Sequence, residues 1–98
     1  MQDHDDIYIH ALEKWGYNAQ MDVVIEELSE LIKAIIKHRR EPTIDRAIDV
    51  AEELGDVVIM TRQLEIAMAQ KYPEFVSWKS DTIQTKLHRI KSRLNDQP

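Results

Sequence analysis

The chain has 98 residues, enough for one domain, and a domain of that size buries only about 60 to 70% of the surface its unfolded form would expose. Its net charge of -5 argues against non-specific nucleic-acid binding, which needs clustered Lys and Arg, and the absence of cysteine excludes disulfides and thiolate zinc sites. With 2 Gly, 3 Pro and 43% hydrophobic residues, it reads as an all-α protein. No leader with a basic start and apolar core precedes Asp3, and no apolar run reaches the ~18 residues of a membrane span, so a soluble, cytoplasmic protein with no membrane partner is expected.

Four helices are predicted. The first runs from about residue 5 to 14, with Asp3, Asp5 and Asp6 favouring its positive end and Gly16 stopping it. The second runs from about 20 to 40, its apolar stripe formed by Val24, Leu28, Leu31, Ile32 and Ile35. Glu41-Pro42-Thr43 breaks it, and Thr43 is a candidate N-cap for the third helix, from about 44 to 71. Ala47, Val50, Ala51, Leu54, Val57, Val58, Thr61, Leu64 and Met68 make the third stripe. Pro73 opens a fourth helix to about Leu94, with Val76, Ile83, Leu87, Ile90 and Leu94 inward, and residues 95–98 read as a frayed tail.

Acidic residues are set into these stripes in pairs. Glu26-Glu27-Leu28-Ser29-Glu30 is followed, after 22 residues, by Glu53-Leu54-Gly55-Asp56. At ~100° per residue, Glu27 and Glu30 fall about 90° and 150° from the second helix's stripe. Glu53 and Asp56 fall at about the same two angles on the third, so two helices present matching acids. Glu26 and Glu52 lie nearly opposite their stripes, although Glu26 can act from the edge through its closeness to Glu30. Asp49, one turn before Glu53, can act behind it. Such facing carboxylates make an all-oxygen cage suited to a hard cation, Mg or Mn. Solvated boundary charges are the alternative. A di-iron bundle normally uses Glu-x-x-His, and neither motif contains histidine.

On the fourth helix Lys79, Lys86, Arg89 and Arg93 share a face, a ridge suited to polyphosphate. Favourable placement of cations toward a helix C-terminus is the structural alternative. Lys33, Lys37, His38, Arg39 and Arg40 near the end of the second helix read as a solvated terminus.

The two acidic motifs resemble those of the all-α nucleoside triphosphate pyrophosphohydrolases, most closely the MazG-like branch, whose signature is EExxE, a gap, then ExxD. The resemblance covers about residues 15 to 60, and the fourth helix by charge pattern. It implies cleavage of a nucleoside triphosphate between the α and β phosphates, with Glu27, Glu30, Glu53 and Asp56 as Mg ligands. Glu26 would orient or deprotonate water, and Lys79, Lys86, Arg89 and Arg93 would contact phosphate. The segment with Trp15, Tyr17, Asn18 and Gln20 would approach the base. The resemblance further implies a four-helix bundle completed by homodimerisation, as a dimer or a dimer of dimers. Asp56 is followed by Val57-Val58, unlike the aromatic-His pair of the phosphoribosyl-ATP branch, and the single module is shorter than dimeric dUTPases. A non-catalytic helical interaction module with an acidic docking surface is the alternative of a different class.

Overall fold

The computed structural model describes residues 4–96. They form four helices, α1 (Asp5–Trp15), α2 (Tyr17–Arg40), α3 (Ile44–Lys71) and α4 (Phe75–Asp96), with no strand among the described residues. The chain divides into two compact units, one ending at Ala67 and the other beginning at Met68.

In the first unit, Asp5 and Asp6 occupy the first turn of α1, where carboxylates meet the positive end of the helix dipole. Asp3, expected to join them, lies outside the described residues. Gly16 both ends α1 and starts α2. Its N–H donates to the Leu12 carbonyl at 2.9 Å, and its own carbonyl accepts from Gln20 N–H at 3.2 Å. Its φ of 90° and ψ of 160° belong to a region essentially restricted to glycine. One residue therefore makes the whole connection, and α2 begins at Tyr17, a turn before the expected start near Gln20.

Pro42 separates α2 from α3, and Thr43 caps the latter, its Oγ1 accepting from Arg46 N–H at 3.2 Å. Arg46 also lies 3.9 Å from Glu41 and 3.6 Å from Asp49. This short connection turns α3 back along α2. Two contacts tie α1 to α3. The Arg62 guanidinium donates through Nη2 and Nε to the two Asp5 carboxylate oxygens at 2.6 and 3.0 Å, and Nη1 donates to Glu65 at 2.9 Å. Gln63 Nε2 donates to the Tyr8 carbonyl at 3.4 Å.

The core is small. Leu12, Val24, Ala34 and Ala67 are buried, together with the polar Gln20 and Gln63. The stripes read from periodicity stay largely open in the single chain: Leu28, Ile32 and Ile35 on α2, and Leu54 and Val58 on α3, are each at least 40% exposed. Periodicity identifies an apolar face without saying what covers it.

The second unit contains the end of α3 and α4. Tyr72 N–H donates to Met68 carbonyl at 2.7 Å as α3 ends, and Pro73 lies in the turn before α4. Tyr72 and Trp78 meet as tilted rings with centroids 6.3 Å apart. The expected frayed tail needs correction at two positions, since Asn95 and Asp96 continue α4. The backbone hydrogen-bond pattern of the helix carries through them without a breaker before Pro98, which itself lies outside the described residues. Val76, Ile83, Leu87, Ile90 and Leu94, expected inward, are exposed.

A candidate metal centre between two helices

Three-residue spacing on α3 puts Glu53 and Asp56 about one turn apart, facing α2. Glu27 on α2 meets them. Each of Glu27, Glu53 and Asp56 offers a carboxylate oxygen, and these oxygens all lie within 4.8 Å of one another. Glu27 and Glu53 are half-buried and Asp56 is exposed, so the group lies at the surface, within reach of solvent.

The three charges are uncompensated by protein cations. No salt bridge involves Glu27, Glu53 or Asp56 among the described residues. Both half-buried acids respond as expected for such a cluster. Partial desolvation raises the pKa of Glu27 above its ordinary value, assisted by the Asp56 charge, a side-chain hydrogen bond with Asp56, and the charges of Glu53 and Glu26. Desolvation also raises Glu53, followed by the charges of Asp56, Glu30, Glu52 and Asp49. Close oxygen donors, negative charge and the lack of a Lys or Arg partner fit a hard divalent cation.

Glu30 stands beside this trio. It is close enough to Glu53 to raise that group's pKa, while its Oε1 lies 3.4 Å from Lys33 Nζ. Glu26 is exposed at the rim, its charge felt by Glu27 and its backbone carbonyl accepting from Ser29 Oγ at 2.8 Å. Glu52 is exposed, and Asp49 pairs with Arg46 while contributing to the field at Glu53.

Lys79, Lys86, Arg89 and Arg93 are exposed along α4, in the second unit. Lys86 and Arg89 border a shallow depression with Asp81, Thr82 and Thr85. In the first unit, a larger groove of about 580 Å³ opens among α1, α2 and α3. Of the residues considered for base contact, Trp15 and Gln20 line it, whereas its lining does not include half-buried Tyr17 or exposed Asn18. Lys14 Nζ sits 5.6 Å from the Trp15 ring centroid, a cation–π distance.

Tyr8 and Gln63, absent from the sequence-based site, also line this groove. A positional signal for Gln63 exists. It follows Asp56 by seven residues, just as Gln20 precedes Glu27 by seven, so each glutamine lies about 20° from an acid on its own helix.

Among protein-family models, the MazG nucleotide pyrophosphohydrolase domain matches residues 16–94, a span that includes both acidic motifs and nearly all of α4. No match was found among curated proteins or among solved structures. No helix among the described residues is long and apolar enough to cross a membrane.

Proposed function

Because the chain belongs to the MazG nucleotide pyrophosphohydrolase domain family, we propose that it hydrolyses nucleoside triphosphates of the cytoplasmic pool to the monophosphate and pyrophosphate, with Mg as its metal. The observation that carries this reading is the meeting of Glu27, Glu53 and Asp56 within 4.8 Å without a protein cation beside them. These three, joined by Glu30 once it exchanges Lys33 for the ion, would hold Mg, and Mn as a substitute. When bound, such an ion acidifies coordinated water and offsets charge on phosphoryl oxygens.

The chain's own side chains do the remaining work. Glu26, exposed and next to Glu27, would orient the attacking water or accept its proton. Lys79, Lys86, Arg89 and Arg93, exposed on α4, would supply cations for the triphosphate oxygens. Trp15, Tyr17, Asn18 and Gln20 form the segment proposed for the base side.

The chain is proposed to work as one all-α domain completed by a second copy, as a dimer or dimer of dimers. Ile25, Leu28, Ile32, Ile35 and Ile36 on α2 are all 40% or more exposed. An apolar face of this extent is ordinarily covered in a stable soluble protein. Covering it with a second α2–α3 pair would give a four-helix bundle.

Incubation with a panel of ribo- and deoxynucleoside triphosphates and Mg tests the reaction. Monophosphate plus pyrophosphate is expected, and Glu26→Gln is expected to lower turnover about 100-fold or more. Orthophosphate plus diphosphate as products would contradict the cleavage point. The absence of any turnover would favour an acidic interaction module instead.

A further inference from the structure

The groove among α1, α2 and α3 has a chemical character of its own. Tyr8, Trp15, Val23 and Met60 give it an aromatic and aliphatic wall, and no charged residue lines it. Two primary amides interrupt that wall, Gln20 at 6% and Gln63 at 3% exposure.

These amides have hydrogen-bonding capacity left over. The Gln20 side chain makes no hydrogen bond among the described residues, and Gln63 makes only the one to the Tyr8 carbonyl. Because a carbonyl only accepts, that bond fixes Nε2 of Gln63 toward Tyr8 and leaves its second N–H and its Oε1 to offer. No buried side-chain nitrogen or oxygen among the described residues lacks a partner, so the unpaired amide atoms must keep access to open space. Both residues line the groove, which is the space they share.

Glu27 faces Asp56 across the helix pair, with Gln20 seven residues before Glu27 on α2 and Gln63 seven residues after Asp56 on α3. At 1.5 Å per residue this places the amides ~10 Å from the acids. That separation accommodates a sugar and base when the phosphates lie at the acids.

We propose that Gln63 and Gln20 are specificity-determining residues that read the hydrogen-bonding edge of a nucleobase held in this groove against Trp15, Gln63 oriented by its bond to Tyr8 and Gln20 free to donate or accept. The rotatable Gln20 amide matches either a keto or an amino neighbour, so the groove discriminates a base from no base more strongly than one base from another. This rests on the proposed triphosphate reaction for its orientation, and on the groove alone for its chemistry.

Two measurements separate the groove from the reaction. The first compares kcat/KM for a nucleoside triphosphate and for ribose 5-triphosphate, which has no base, in wild type, Gln63→Met and Gln20→Met. Each variant is expected to lower the ratio of the two values about five- to tenfold, with the ribose triphosphate rate preserved. Equal losses on both substrates, or an unchanged ratio, would overturn the proposal. The second needs no turnover: free nucleoside is titrated against Trp15 fluorescence in a Trp78→Phe background. Saturable quenching is expected, weakened about five- to tenfold by Gln63→Met. Quenching unaffected by either glutamine variant, or none at all, would overturn the groove assignment even if the triphosphate is cleaved. Quenching that depends on Gln63 in a protein without turnover would sustain the groove and reject the reaction.

Discussion

Glu27 and Asp56 bring carboxylate oxygens within 4.8 Å of one another across α2 and α3, a separation at which two like charges repel unless a proton or a cation offsets them. Proton and cation are therefore alternative ways of satisfying the same group of acids. The protonated form is favoured at low pH and the cation-bound form where the carboxylates ionise.

A pH dependence follows for the metal-free protein. The folded-state pKa values of Glu27 and Glu53 lie above the ordinary 4.5. For an acid raised by folding, the stabilising contribution is present below the unfolded pKa and is lost as pH rises through the folded value. Urea unfolding in EDTA is expected to show stability falling over this interval above 4.5. The slope should be shallower in Glu27→Gln, and indistinguishable slopes would remove the proposed coupling.

The two glycines are expected to behave oppositely. Gly16 has φ 90°, so Gly16→Ala should cost about 1 to 3 kcal/mol by straining the single-residue connection. At Gly55, inside α3, a Cβ meets nothing within 4 Å in this chain. Gly55→Ala should therefore stabilise by about 0.5 to 1 kcal/mol through helix propensity. Denaturant midpoints at matched m-values check both. A destabilised Gly55→Ala would mean that another surface approaches this turn.

Arg62 holds α1 through a two-pronged contact with Asp5, supported by Glu65. The partners remain partly exposed, the Arg62 side chain by 42% and Asp5 by 30%, so solvent screening limits the pair. Arg62→Met is expected to lower stability by about 1 kcal/mol and to speed hydrogen exchange in α1 more than in α2. Uniform exchange across both helices would show that Arg62 does not act as the tie.

The number and order of the helices were readable because Gly16, Pro42 and Pro73 interrupt apolar periodicities that are otherwise regular. The pairing of Glu27 with Glu53 and Asp56 was readable from their angles to those periodicities. For Gln63 the only signal was its seven-residue spacing from Asp56, which places it near that helix face without pointing to a ligand. Its place in the groove emerges only when α1 brings the Tyr8 carbonyl to it. The start of α2 was misplaced because sequence treats a glycine as a stop, whereas Gly16 accepts the first hydrogen bond of the next helix. Nor does a stripe such as Leu28, Ile32 and Ile35 carry the identity of its partner.

The most direct measurement is the melting temperature as Mg is titrated at neutral pH, in wild type and in Glu53→Gln. A site filled at ten times its dissociation constant adds about 1.4 kcal/mol, or roughly 6 to 11 °C for a domain of this size. Wild type is expected to show that rise, and Glu53→Gln to lose most of it while remaining folded. A melting temperature indifferent to Mg in wild type, or an equal rise in both proteins, would contradict a metal centre at Glu27, Glu53 and Asp56.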